Sequence, residues 1–502
     1  MSATQEIEKQ PSVPQSGRGE EGAGGTKIAK TTSAENRDSR SPYLSGNYAP
    51  VRSEDDFADL PITGEIPREL DGALYRNGPN PQFEPRDPNH HWFDGDGMIH
   101  GFTVANGKVS YRNRYVRTPR WQAEHTAGRS LYGTFGNPMT SDPSVIGKEG
   151  GVANTNIIWH AGRLLALEEA HQPTELDPVS LATRGYTPYA GRANRFTAHP
   201  KIDPETGELV FFGYSVGETF FTDEIAYGVV NREGRLTRLD LFKAPFCSMI
   251  HDFFVTKNYV GFPVLPLTGS LPRVMGGGPA FAWEPEKGSH VGIMRRDAGV
   301  DSIRWFTTDP CYVFHPMNMW EDGDRIYADV MQYEQAPLFP NADGSRGKDA
   351  SARLARWTFD LSDNTNAIKR EYIDDLAGEF PRLDERRAGL SYRHGYFAGN
   401  SRDDGQVYFD SVAHIDHQTG KKSVYEFPAT DAPGEPVFVP RSADAAEGDG
   451  WLVAVVYRGA ENRSDFVVFD ATDVVSGPIG VAKLPRRVPF GFHGNWRPGR
   501  LR

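Results

Sequence analysis

Val488-Pro-Phe-Gly-Phe-His-Gly-Asn-Trp496 lies close to the C-terminus of this 502-residue chain. Chain ends usually fray, so a histidine set there among glycines and aromatic rings calls for a reason. His493 makes sense if the terminus returns to the middle of the fold and completes a site. Three earlier stretches read as its partners: Phe196-Thr-Ala-His-Pro200, Cys247-Ser-Met-Ile-His-Asp252 and Phe314-His-Pro-Met-Asn318. Each places an apolar residue before its histidine and strand or turn text after it. The reading is that His199, His251, His315 and His493 converge on one metal ion.

Their spacing speaks for the fold. His199 and His251 are 52 residues apart, His251 and His315 are 64, and His315 and His493 are 178, about three further steps of similar length. A propeller blade of four antiparallel strands takes roughly 40–50 residues, more with long loops. One histidine at the same place of successive blades would bring all four to the axis. Closing the ring would lay the last strands beside the first, so that no free edge remains. The expected fold is all-β, a seven-bladed β-propeller with loops and short helices capping one face over the axial metal.

The surrounding text agrees. With 53 Gly and 37 Pro, short apolar or alternating runs are cut repeatedly by turn signals. Met98–Val104 and Lys108–Arg112 flank an Asn-Gly turn, a strong hairpin signal. Hairpins are also expected over Phe196–Val216 and Phe314–Met331. Arg114–Leu131 and Glu371–Leu376 are the best helical candidates. Residues 1–48 are poor in large apolar side chains and read as a disordered tail; residues 49–502 read as one catalytic domain.

Net charge is −12 with no long Lys/Arg run, which leaves little electrostatic basis for nucleic-acid binding. Cys247 and Cys311 are the only cysteines, too few for a disulfide framework, and they point to a reducing compartment. The N-terminus lacks an apolar signal region and no window is long and apolar enough to span a membrane. A cytoplasmic location is expected.

Fourteen histidines are present, so the choice of four needs a criterion. His90, His91, His414 and His417 stand in polar, turn-like text and read as surface residues. His100, His125, His160, His171, His290 and His394 share no common context. Four neutral imidazoles suit a borderline divalent ion such as Fe(II), Zn or Cu. A ligand histidine usually gives its other ring N–H to an acceptor, which draws attention to three glutamates in apolar or Pro-flanked text: Glu169, Glu379 and Glu435.

Read together, these motifs resemble the carotenoid cleavage oxygenase family, including its apocarotenoid, lignostilbene and aryl-alkene cleaving branches. The resemblance rests on Leu74-Tyr-Arg-Asn-Gly-Pro-Asn-Pro81, Trp92-Phe-Asp-Gly-Asp-Gly-Met98, Thr197-Ala-His-Pro-Lys201, His251-Asp-Phe253, Phe314-His-Pro-Met-Asn318, Glu379-Phe-Pro-Arg382, Glu435-Pro-Val-Phe-Val439 and Gly491-Phe-His-Gly-Asn-Trp496. It implies one axial Fe(II) per chain held by His199, His251, His315 and His493, with Glu169, Glu379 and Glu435 behind the imidazoles. It also implies O2 as co-substrate, no organic cofactor, and dioxygenase scission of a conjugated carbon–carbon double bond into two carbonyl products.

The substrate is expected to be a small apolar conjugated alkene, apocarotenoid-like, with an aryl-alkene of stilbene or isoeugenol type as the alternative. Lignostilbene-type members place a tyrosine and a lysine on the phenol oxygen. The matching positions here are Phe135 and Glu168, so both polar contacts are missing. Similarity to the isoeugenol-type enzymes in Trp283-Glu-Pro-Glu-Lys-Gly288 and Pro440–Gly450 keeps a phenylpropene in view. The loop Phe262–Met275 is a candidate for weak peripheral membrane contact or for a cover over the site. Two other classes compete: a propeller hydrolase built on Ca2+, which would favour carboxylate and Asn ligands, and a non-catalytic scaffold.

Overall fold

The computed structural model describes residues 41–499 except 136, 218, 220 and 403–407. Strands dominate them, and helices are few and short: Pro119–Ala127 and Leu271–Met275 are the α-helices, beside scattered 3-10 turns. Antiparallel sheets follow one another along the chain. Asn156–His160 begins a four-stranded sheet, Lys201–Ile202 a second and Phe254–Val255 a third, while Tyr312–Asp322 begins a seven-stranded one. The expected hairpins are present, Leu209–Tyr214 pairing with Lys201–Ile202 and Arg325–Tyr333 with Tyr312–Asp322.

The chain closes on itself twice. Near the C-terminus, Gly494–Pro498 pairs antiparallel with Gly72–Arg76 and joins the sheet of Met98–Ala105 and Lys108–Tyr115. Near the beginning, Ile62–Gly64 pairs with Gly480–Lys483 and completes the sheet of Gly450–Arg458 and Arg463–Asp470. Both closures cover strand edges that would otherwise present unpaired N–H and C=O groups.

Between successive sheets lie separate apolar layers. Tyr75 and Ile99 pack on Ile157 and Leu164, Leu165 on Phe211, and Phe212 and Tyr227 on Phe262 and Met294. Ile293 and Phe306 pack against Val330 and Trp357, Tyr396 and Val412 on Leu452 and Phe469, and Val453 and Phe466 return to Leu74 and Phe102. The last layer rejoins the first, so the sheets form a ring. Its inner rim includes Gly494–Pro498, which lies against Asn156–His160 on one side and Val437–Pro440 on the other.

Four expectations are corrected. The helix expected over Arg114–Leu131 is confined to Pro119–Ala127, capped by Thr118 Oγ1 at its start and by Gly128 in the left-handed region at its end. Glu371–Leu376 is no helix but part of the strand Lys369–Leu383, in which Glu371 and Tyr372 pair with Arg356 and Ala355; the neighbouring strand overrides the local helix preference of its Glu and Leu. The tail boundary at residue 48 falls too late, because Asn47 is buried with its Nδ2 donating to Val488 O at 3.3 Å, and Tyr43 stacks on Trp92; residues 1–40 lie outside the described residues. His90 and His414 are buried, and His91 and His417 are mostly covered, rather than standing on the surface.

Of the loop Phe262–Met275, Phe262, Val264, Leu265 and Leu267 belong to the core, and only Leu271 and Met275 project as large exposed apolar side chains. Among the described residues no helix is long and apolar enough to cross a membrane.

Candidate metal centre

The four histidines chosen from the sequence come together at the inner rim. His199 precedes the strand Lys201–Ile202, His251 precedes Phe254–Val255, His315 lies within Tyr312–Asp322, and His493 precedes Gly494–Pro498. All four are buried, and a ligand nitrogen from each lies within 4.8 Å of the others. Nε2 of His251 is 3.1 Å from Nε2 of His199 and 3.0 Å from Nε2 of His315. With Nδ1 of His251 and of His315 each donating to a glutamate, their two Nε2 lone pairs face each other and repel unless a cation lies between them. Among the described residues this is the only such grouping of His, Cys, Asp or Glu.

The other ring nitrogen of three of these histidines is held by a carboxylate. His251 Nδ1 donates to Glu169 Oε1, and Glu169 Oε2 accepts the Tyr214 hydroxyl at 2.7 Å. His315 Nδ1 donates to Glu379 Oε2 at 2.6 Å, an oxygen that also accepts the Phe380 N–H. His493 Nδ1 donates to Glu435 Oε1 at 2.9 Å, while Glu435 Oε2 accepts the Gly494 N–H at 2.8 Å. These bonds fix each ring's tautomer and leave Nε2 free to bind a cation. His199 differs. Its Nδ1 is 3.8 Å from Asp252, whose carboxylate is already taken by Lys201 at 2.8 Å.

Burial, with the neighbouring imidazoles, pushes His199 and His315 well below the ordinary histidine range. His493 is also lowered, because burial outweighs the pull of Glu435. Neutral imidazoles are the form that binds a metal. The glutamates behind them diverge. Burial raises the Glu379 carboxyl to about 8. Burial works the same way on Glu435, but the Arg382 guanidinium 3.2 Å away and His493 prevail and hold it at about 2. Arg382 also donates to Gly494 O at 2.8 Å and Asn495 Oδ1 at 2.9 Å, tying the returning C-terminal strand to the strand that carries Glu379.

Aromatic rings surround the cluster. Phe314 stands edge-on to His251 at 5.0 Å and Phe380 to His493 at 5.1 Å. Phe492, next to His493, touches Trp92 and Phe93 at 4.8 and 5.7 Å. Phe135 extends this group, 5.5 Å from Phe93 and 5.8 Å from Phe281. Glu168 is turned to His171, with Oε1 2.5 Å from Nδ1, and His171 Nε2 lies 2.7 Å from Glu149. These two carboxylates outweigh burial and raise the His171 pKa to about 10. Tyr214 and Arg382 were not singled out from the sequence as site residues. Arg382 stands within the quoted Glu379-Phe-Pro-Arg382 stretch; nothing in the sequence marks Tyr214.

Comparison with known proteins completes the description. The model of the retinal pigment epithelial membrane protein family, RPE65, matches residues 48–498. The isoeugenol monooxygenase of Pseudomonas nitroreducens is 40% identical, covering 91% of this chain and 98% of its own. The lignostilbene-alpha,beta-dioxygenase isozyme III of Sphingomonas paucimobilis is 38% identical over 90% and 96%. The crystal structure of the Pseudomonas brassicacearum lignostilbene dioxygenase superposes with a TM-score of 0.88 at 37% identity, over 91% and 99%.

Proposed function

The chain belongs to the carotenoid cleavage oxygenase family, that of RPE65, and on that footing we propose that it uses O2 to cleave the side-chain double bond of an aryl-alkene to an aromatic aldehyde. The family is one of oxygenases, so the protein is an enzyme of that kind. The relatives bear on the substrate. Isoeugenol monooxygenase and lignostilbene dioxygenase stand at 40% and 38% identity, which favours the aryl-alkene over the apocarotenoid as the double bond attacked.

The observation that carries the proposal is the convergence of four buried histidine nitrogens within 4.8 Å. In this reading His199, His251, His315 and His493 hold one Fe(II), and Glu169, Glu379 and Glu435 orient three of the rings. Four nitrogen ligands leave positions open, and Fe(II) supplies O2 activation there without an organic cofactor. The protein's own contribution is to hold the alkene in place and keep water away, and the rings of Phe93, Phe135, Phe281 and Phe314 suit that task. The reading also takes the ring of sheets as seven blades. Five sheets each count as one, and the seven-stranded sheet counts as two that share Lys369–Leu383, whose Ala377 pairs with Arg353 on one side and Asn400 on the other.

The test is the full chain loaded anaerobically with Fe(II), then given isoeugenol, 4-hydroxystilbene and an apocarotenal under 18O2. Aromatic aldehydes carrying label are expected from the aryl-alkenes, with little cleavage of the apocarotenal, and the count of labelled oxygens separates mono- from dioxygenation. Cleavage of the apocarotenal alone would restore the polyene reading. Stoichiometric zinc with no oxygen uptake on any of the three would overturn both.

A further inference from the structure

Three of the rim histidines have a carboxylate on Nδ1, and the fourth has one close by that does not reach it. Asp252 Oδ2 lies 3.8 Å from His199 Nδ1, against 2.6 Å from Glu379 to His315 and 2.9 Å from Glu435 to His493. Asp252 and His199 are both buried. Capacity does not limit the contact, because a carboxylate offers about four lone-pair sites. What limits it is position. The Lys201 ammonium straddles Asp252, 2.8 Å from Oδ1 and 2.9 Å from Oδ2, and the Phe253 N–H donates to Oδ1 at 2.7 Å.

The chain itself builds this arrangement. Lys201 lies two residues after His199 and begins the strand Lys201–Ile202, where it pairs with Val210. Asp252 directly follows His251, whose own ring is turned to Glu169. The ion pair therefore joins the two stretches that carry two of the histidines. Glu435 shows that a nearby cation alone does not prevent a carboxylate–histidine bond. Arg382 stands 3.2 Å from Glu435 Oε1, yet that oxygen still accepts from His493. At Asp252 the cation bridges both oxygens and draws to itself the one nearest His199.

A carboxylate on Nδ1 raises the basicity of a ligand imidazole and fixes its ring. We propose that Lys201 is a positioning residue: it holds Asp252 out of hydrogen-bonding range of His199 and so keeps one of the four metal ligands a weaker donor than the other three. The four-nitrogen site is then unequal by construction, with His199 the ligand least firmly fixed. That role presupposes the metal centre proposed above and adds to it which ligand is weakest and which residue makes it so.

The experiment loads the full chain with Co(II), whose paramagnetism moves the ring N–H protons of ligand histidines clear of the other proton resonances. Wild type is compared with K201R, which keeps the cation, with K201M, which does not, and with K201M/D252L, which replaces the whole pair by apolar groups. Melting temperature is measured first, and K201Q takes the place of K201M if that variant does not fold. In wild type three ring N–H protons should exchange slowly with solvent, those held by Glu169, Glu379 and Glu435. A fourth should exchange about tenfold faster or more, the order of one hydrogen bond. In K201M Asp252 can turn to His199, so the fourth proton should join the slow set and Co(II) affinity should rise about tenfold, the scale of one carboxylate behind a ligand histidine. K201R and the double variant should keep the wild-type pattern. Four slowly exchanging protons in wild type overturn the assignment. So does a K201M protein whose fourth proton still exchanges fast, even with tighter Co(II), because loss of the positive charge alone would tighten binding. If wild type takes up no Co(II), the metal-centre reading is what fails, and the role of Lys201 falls with it.

Discussion

Two groups of buried histidines occupy this molecule, and only one is arranged to hold a metal. At the inner rim, Glu169, Glu379 and Glu435 occupy Nδ1 of His251, His315 and His493, so their Nε2 atoms turn to one point. On neighbouring strands of the seven-stranded sheet, His394 Nδ1 lies 2.9 Å from His414 Nε2, and His417 packs on Tyr392. There one imidazole satisfies the next and no common point forms. What sets His251, His315 and His493 apart from the structural pair is the carboxylate on Nδ1 that turns Nε2 to the common point; His199, without such a bond, joins them by its position at the rim.

The largest expected effects break the first group while leaving the second intact. Replacing His251 or His315 by Ala should abolish iron binding and O2-dependent cleavage. Replacing His394 by Ala should leave iron at one per chain and cost only stability. Iron lost from the His394 variant, or kept by both rim variants, would remove the distinction. Deleting the chain from Val488 onward goes further. It removes His493, uncovers the edge of Gly72–Arg76 and strips partners from Arg382 and Glu435, so iron and cooperative unfolding should disappear together. Metal analysis and a thermal melt report both.

A smaller effect separates two carboxylates that do the same work in different surroundings. Glu435→Gln removes the buried anion of the Arg382 guanidinium and leaves it only the exposed Glu385, 3.0 Å away; breaking a buried pair costs about 3–5 kcal/mol, and the remaining partner should hold the loss to the lower end of that range. Glu379→Gln strands no cation, and its cost to the metal-free protein should be about 1 kcal/mol. Both should weaken iron binding roughly 10–100-fold, as loss of a carboxylate behind a ligand histidine does. Urea unfolding of the metal-free variants gives the first difference and metal competition the second. Combining Arg382→Met with Glu435→Gln should recover part of the loss; equal unfolding costs for the two single glutamate variants would count against the role given to Arg382.

The rim histidines were legible because each follows an apolar residue at the start of a hairpin or at a closing strand, so shared context and spacing together grouped them. The glutamates were visible only as acids in unusual contexts, and the family resemblance was needed to select them. Arg382 and Tyr214 escaped for a different reason. Their partners lie far along the chain, Tyr214 reaching Glu169 and Arg382 reaching Gly494, and no local pattern encodes such contacts. His414 and His417 misled in the same way. Polar text suggested the surface, yet sheet pairing buries His414 opposite Tyr396 and covers His417.

The smallest expected effect belongs to the second group and concerns pH. Burial, reinforced by His394, lowers the His414 pKa to about 4 against an ordinary 6.5. Between those values the unfolded chain binds more protons than the folded one, so stability rises with pH across that window. The contribution is complete above about 6.5 and is lost as pH falls through 4. Melting temperature followed from pH 7 to pH 4 should therefore decline, and His414→Leu should flatten the decline while keeping iron at pH 7. A decline of unchanged steepness in that variant would mean that other groups govern acid stability. Loss of iron at pH 7 would mean that the His394–His414 pair is tied to the rim after all.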